Sequence, residues 1–190
     1  IVKSLKRFTS HEQQNEQIDH ETGSLIQTIH DLLNLYSSSI RKKGIALTLD
    51  LDERNDGDIF SADTELIIFN LLTNAIEAIE LAKDEIENPE IAIRIEKQEN
   101  SVIIKVSNNG PRIRPEDYEN IFEPFYSTKN RSRNSGMGLA IAQHLASKHG
   151  GSIRLLQEQS KTHFFVSLPT VQKISQSTLD HTIDRKQAKT

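Results

Sequence analysis

One stretch constrains this chain more than any other. Residues 63–80, DTELIIFNLLTNAIEAIE, carry ten apolar residues, Leu66, Ile67, Ile68, Phe69, Leu71, Leu72, Ala75, Ile76, Ala78 and Ile79. At helical spacing they coat almost the whole circumference, so a helix over about 63–83 has to be largely buried. Asn70, Thr73, Asn74 and Glu77 interrupt the coat at i, i+3, i+4 and i+7, which puts them on one stripe. Asparagine is a poor helix former, and a buried amide left unpaired costs about 1–3 kcal/mol. Two readings follow: the stripe faces water or caps a neighbouring element, or it faces a polar ligand. Asparagine carbonyl oxygens suit a hard cation such as Mg²⁺, which keeps several waters and takes few protein ligands.

The elements around this helix define a fold class. Leu25, Ile29, Leu32, Leu33, Tyr36 and Ile40 recur at helical spacing, with cap chemistry at 22–24 and Gly44 as a C-terminal stop. Ile45, Leu47, Leu49 and Leu51 alternate as one face of a half-buried strand, and ERNDGD is a turn. Residues 91–96 and 102–106 read as a hairpin, 136–149 as a helix stopped by Gly150-Gly151, and SIRLLQ with THFFVSL as a last strand pair. Helices alternating with hairpins predict an α+β fold: a two-layer sandwich with one mixed sheet covered on one face by about three helices. The predicted boundaries are the end of an upstream helix or a linker over 1–17, one domain over 18–170 and a polar, poorly ordered tail over 171–190.

Composition narrows the chemistry. There is no cysteine, which excludes disulfides, zinc–thiolate sites and thiol nucleophiles. The net charge of −4 gives no reason to expect nucleic acid. No apolar run approaches the ~20 residues that span a bilayer, so no direct membrane contact is predicted from this segment. The chain begins at Ile1 and its one methionine is Met137, so it reads as part of a longer protein.

Two further segments carry chemistry. In NRSRNSGMGLAIAQHLASKHGG, Ser135, Gly136 and Gly138 stand just before an apolar-periodic helix, where N–H groups and the helix dipole attract anions. Glycines before a helix are often only turn residues, but Lys129, Arg131 and Arg133 lie immediately upstream, in the order a triphosphate would use. VIIKVSNNGPRI ends a strand in Asn108-Asn109-Gly110-Pro111, either a tight turn or a polar side chain offered to a cleft. The irregular stretch 108–135 is long enough to suggest a functional loop.

Taken together, these segments resemble the catalytic ATP-binding domain of sensor histidine kinases, within the superfamily of gyrase, Hsp90, histidine kinases and MutL. The likeness covers about residues 25–169. NLLTNAIEA looks like the family's N box, NNGPRI its first glycine box, IFEPFYSTK its F box, and SGMGLAIA its second glycine box. The resemblance implies the Bergerat-type ATP-binding fold with a mobile lid, ATP and Mg²⁺ as cofactors, and a cytoplasmic location, either soluble or as part of a membrane-bound sensor. It implies the metal ligand at Asn74, with Asn70 one turn earlier and Glu77 on the same stripe. Asn108 matches the residue that accepts a hydrogen bond from the adenine amino group. Gly110 and Ile113 shape the adenine pocket, and Thr162 lies near the base. Lys129 and Arg131 reach the phosphates from the lid, while Ser135, Gly136, Met137, Gly138 and Leu139 cradle them. Phe122 and Phe125 are expected to anchor the lid.

The chain departs from the family pattern at Asn108, where aspartate is usual, at Arg112, where glycine is usual, and at Asn134. Arg112 is expected to strain or reshape its turn. The implied activity is phosphoryl transfer from ATP to a histidine on a dimerisation domain absent from this chain. A homodimer and a response regulator are the implied partners. None of the seven histidines has the acidic-then-proline context of the phosphoacceptor. Two other readings stay open: a degenerate nucleotide-binding or docking module without kinase activity, and an ATPase clamp like MutL or Hsp90.

Overall fold

The computed structural model describes residues 22–127, 135–158 and 160–171. The linker expected at 1–17, the cations Lys129 and Arg131, and the tail beyond Val171 lie outside them. In chain order the elements are β1 (Thr22–Ser24), α1 (Leu25–Lys42), β2 (Ala46–Asp50), β3 (Asp58–Phe60), α2 (Ser61–Leu81), β4 (Glu90–Lys97), β5 (Ser101–Asn108), α3 (Gly138–Lys148), β6 (Ser152–Glu158) and β7 (Lys161–Pro169). One-turn 3₁₀ segments occupy Glu53–Asn55 and Pro115–Asp117.

Five strands form one sheet in the order β2-β4-β5-β7-β6. β2 runs parallel to β4 and every other pair is antiparallel, so the sheet is mixed. Alternate residues of the central strands, Ile91, Ile93, Ile95, Val102, Ile104, Val106, Phe164, Val166 and Leu168, join the buried faces of all three helices in one core. This is the predicted α+β two-layer arrangement.

The first helix begins where its chemistry dictates. Ser24 Oγ accepts from Gln27 N at 3.0 Å, and Asp56 adds a cap from a distant turn by accepting from Ile26 N at 3.0 Å and from the Ser24 hydroxyl at 2.7 Å. Helix α2 is tied to α3 at its first turn. There Asp63 Oδ2 lies 2.8 Å from Lys148 Nζ and 2.7 Å from His149 Nε2, while Phe60 stacks on the His149 ring. Burial raises the Asp63 pKa, but the Lys148 and His149 contacts outweigh it and hold the carboxyl below its ordinary value.

Three details differ from expectation. The β1–β3 ribbon, with Gly23 opposite Ile59, is invisible to periodicity because each strand has three residues. Leu49 is 40% exposed while Ile45 is buried, because β2 is an edge strand that the helices cover only in part. Phe122 meets Phe164 edge to face, as an anchor should, but Phe125 is 70% exposed and does not pack.

Candidate functional site: a cavity between α2, α3 and the ends of β5 and β7

A cavity of about 330 Å³ opens between the polar stripe of α2, the start of α3, the C-terminal end of β5, the first residues of β7 and the segment after β5. That volume lies within the range of small-ligand sites. Of the residues singled out in the sequence, Asn70, Asn74, Glu77, Asn108, Ile113, Ser135, Gly136, Met137, Gly138, Leu139 and Thr162 all line it. Gly110 does not, but it sets the wall: a Cβ there would fall 2.9 Å from Asn108 Nδ2 and 3.0 Å from the Ala78 backbone. Only glycine lets the turn approach α2 that closely.

At one end of the cavity, α2 faces the tip of α3. Asn70 is buried, and its Nδ2 donates to Leu66 O at 2.9 Å. The preceding turn thus uses the nitrogen, and Oδ1 is the free end of the amide. A Cβ on Gly138 would sit 3.3 Å from that oxygen, so Asn70 Oδ1 and the first residue of α3 stand opposite each other. Thr73 differs: its hydroxyl donates to Phe69 O at 2.7 Å and serves the helix itself. The oxygen-bearing stripe of Asn70, Asn74 and Glu77 suits a hard cation that takes few protein ligands. No group of three or more His, Asp or Glu side chains capable of caging a metal occurs among the described residues.

At the other end, Asn108 closes β5 directly opposite Thr162 of β7. Both are 3% exposed. Asn108 Nδ2 is buried without a hydrogen-bond partner and packs towards Gly110, which leaves Oδ1 as the polar face of the side chain towards the cavity. Arg112 adopts no left-handed backbone, so the strain expected from replacing glycine is absent. Its guanidinium reaches Gln157 instead, with Nε 3.3 Å from Oε1.

Several cavity-lining residues escaped the sequence reading. Asp117, buried, accepts from Arg114 Nε at 2.9 Å and from the Tyr126 hydroxyl, and all three residues line the cavity. The Tyr126 and Arg114 hydrogen bonds hold Asp117 below the usual carboxylate range, and the same bond raises the Tyr126 pKa. Nothing periodic marks them, and only their place beside the F-box phenylalanines could have hinted at them. The loop is pinched where Phe125 meets Gly136. Phe125 N donates to Gly136 O at 3.0 Å, with φ 66° at Phe125 and 67° at Gly136. A Cβ on Gly136 would lie 2.6 Å from Phe125 C, so this neck requires glycine. Ser135 Oγ then accepts from Met137 N at 3.3 Å and steadies the entry to α3.

Comparisons with known proteins agree with this geometry. Residues 61–172 match the family model described as histidine kinase-, DNA gyrase B-, and HSP90-like ATPase. Sensor protein ChvG of Rhizobium meliloti (strain 1021) is 30% identical over 189 residues, covering 88% of this chain and 32% of its own length. The chain thus spans about a third of that relative. The solved catalytic domain of histidine kinase ThkA superposes with a TM-score of 0.68 at 29% identity, covering 79% of this chain and 98% of that one. The structure of ThkA in complex with response regulator protein TrrA matches with a TM-score of 0.67 at 24% identity, over 90% of this chain and 47% of that chain, a likeness of fold alone. The chain therefore belongs to the histidine kinase-, DNA gyrase B- and HSP90-like ATPase family and has the fold of the sensor histidine kinase catalytic domain.

Proposed function

We propose that this chain binds ATP with Mg²⁺ in the cavity and transfers the γ-phosphate to a histidine on a dimerisation domain outside this sequence. One observation carries the reading: Asn70 Oδ1 faces Gly138 at the start of α3 across a cavity whose far end is closed by Asn108 and Thr162. That is an oxygen donor set and an anion-attracting helix start at one end, and hydrogen-bonding groups for a base at the other.

In this reading Asn74, supported by Asn70 and Glu77, holds the metal. Bound Mg²⁺ would neutralise charge on the phosphate oxygens. The N–H groups at Gly136, Met137 and Gly138, with Ser135 and Leu139, cradle the phosphates. Lys129 and Arg131 add positive charge from the segment between Tyr126 and Ser135. Asn108 accepts from the adenine amino group, while Ile113 and Gly110 shape the apolar wall. Catalysis here is positioning plus charge neutralisation, which needs no nucleophile from this domain. The full protein would act as a homodimer, phosphorylate itself and pass the group to a response regulator. The reading gives this domain a cytoplasmic location. No helix among the described residues is long and apolar enough to cross a membrane.

The test is thermal unfolding with and without Mg-ATP. Ligand that binds only the folded chain raises the melting temperature by mass action, by about 2.7 kcal/mol of stability at a hundredfold excess over Kd. An unchanged melting temperature at millimolar Mg-ATP would overturn the reading in favour of a docking module.

A further inference from the structure

The row of residues at the base end of the cavity continues past Thr162. In the sheet register Asn108 of β5 pairs with Thr162 of β7, and Thr162 pairs with Gln157 of β6. Gln157 does not line the cavity, yet its amide orientation is fixed from outside. Tyr118 OH donates to Oε1 at 2.9 Å and Arg112 Nε donates to the same oxygen at 3.3 Å. A guanidinium can only donate, so the atom facing Arg112 has to be the oxygen. Nε2 is thereby turned to Thr162 Oγ1 at 3.1 Å. An amide NH₂ also only donates, so the threonine hydroxyl must accept. Its own proton is then left to point into the cavity.

We propose that Gln157, held by Arg112 and Tyr118, is a positioning residue that orients the Thr162 hydroxyl as a donor and so makes the pocket select a 6-amino purine over a 6-oxo purine. The inference rests on the cavity being a nucleotide site. Asn108 Oδ1 offers an acceptor and Thr162 a donor on adjacent strands. Adenine presents the complement, an exocyclic N–H donor beside a ring-nitrogen acceptor. Hypoxanthine presents the reverse, a carbonyl acceptor beside a ring N–H. A site built for one pattern rejects the other because its polar groups are left unpaired. Arg112, which departs from the family pattern, thereby acquires a role: its long side chain reaches the far edge of the sheet and pins the amide.

The experiment is calorimetric titration of the full chain with Mg-ATP and Mg-ITP, on the unmodified protein, Gln157→Glu and Gln157→Leu. Glutamate is nearly isosteric but reverses the polarity, so Thr162 donates outward and shows only lone pairs to the base. ATP should bind the unmodified chain at least about tenfold more tightly than ITP. Gln157→Glu should weaken ATP by about tenfold and bring the ATP-to-ITP ratio close to one. Gln157→Leu, which frees the hydroxyl to rotate, should fall between. A Gln157→Glu chain that keeps the original ratio would overturn the inference, as would equal loss of both nucleotides alongside a lowered melting temperature. If the unmodified chain binds neither nucleotide, the reading of the cavity itself fails, which is a separate result.

Discussion

The two ends of the cavity are built from different materials. The end proposed for the base is made by strand register: Asn108, Thr162 and Gln157 occupy consecutive places in three hydrogen-bonded strands, and the sheet fixes their separation. The end proposed for the phosphates is made by a helix start and a pinched loop, where Phe125 and Gly136, both in left-handed conformations, approach each other through their backbones. A sheet-built wall resists displacement because every shift breaks ladder hydrogen bonds. A loop-built wall holds its shape through a few local contacts, Phe125 N to Gly136 O and Tyr126 to Asp117. Under the proposed function, selection of the base would belong to the rigid end, and accommodation of the phosphates to the end that a few local contacts hold in place.

That contrast can be broken most severely at the phosphate end. Gly136→Val forces a β-branched residue into φ 67° with its Cβ 2.6 Å from backbone, and should lower stability by about 3 kcal/mol or more in a denaturant titration. Asn74→Ala should weaken Mg-ATP by about a hundredfold, by analogy with loss of metal-supporting groups, while hardly changing affinity measured with EDTA present. A loss of equal size without Mg²⁺ would move Asn74 from metal holder to wall residue. At the rigid end, Asn108→Asp replaces the unpartnered buried Nδ2 with an oxygen and adds a charge that favours the adenine amino group. It should tighten ATP by several-fold to about tenfold in calorimetry, while the buried, unpaired charge lowers the melting temperature of the nucleotide-free chain. Tyr126→Phe removes one hydrogen bond from Asp117 and should cost about 1 kcal/mol. Faster amide exchange confined to residues near the neck would show that the loop end alone responds.

A site remote from both ends serves as the control. Asp63 titrates near 3.8 when unfolded and below that when folded. Its contribution is therefore present above about pH 4 and is lost as pH falls through the lowered folded value. Asp63→Asn should cost about 1 kcal/mol at pH 7, and the two proteins should converge in stability as pH falls below the lowered folded value, with Mg-ATP affinity at pH 7 unchanged.

The legible parts of this molecule are those where a single residue contradicts its surroundings. Asn70 and Asn74 stand out because asparagine on an otherwise apolar helix is costly unless something binds it, and both do line the cavity. Gly138 gains meaning only together with Ser135, Gly136 and the cations upstream, since glycines before a helix are often only turn residues. The hairpin and the last strand pair followed from alternation. The ribbon of Thr22–Ser24 with Asp58–Phe60 had no such signal, since three residues cannot show a period of two convincingly. The Arg114–Asp117–Tyr126 cluster is a product of tertiary folding of an irregular segment, and its members look like ordinary loop residues. Gln157 is the sharpest case. It lies in an exposed edge strand where glutamine is unremarkable, and only the register that sets it beside Thr162 gives it meaning. Phe125 misled in the opposite direction, because its motif suggested packing while its left-handed backbone turns the ring outward.

The position of β7 has a consequence for biogenesis. The last strand among the described residues, Lys161–Pro169, lies between β5 and β6, and β5 waits some fifty residues of sequence for its partner. On the ribosome, β4 and β5 can zip into a hairpin early, but the open side of β5 stays unsatisfied until β7 has emerged. Asn108 and Thr162 come together in the same event, so this corner of the cavity is assembled only when β7 docks. A nascent chain halted before residue 161 would hold the helix with its two asparagines and still lack the far wall of the cavity.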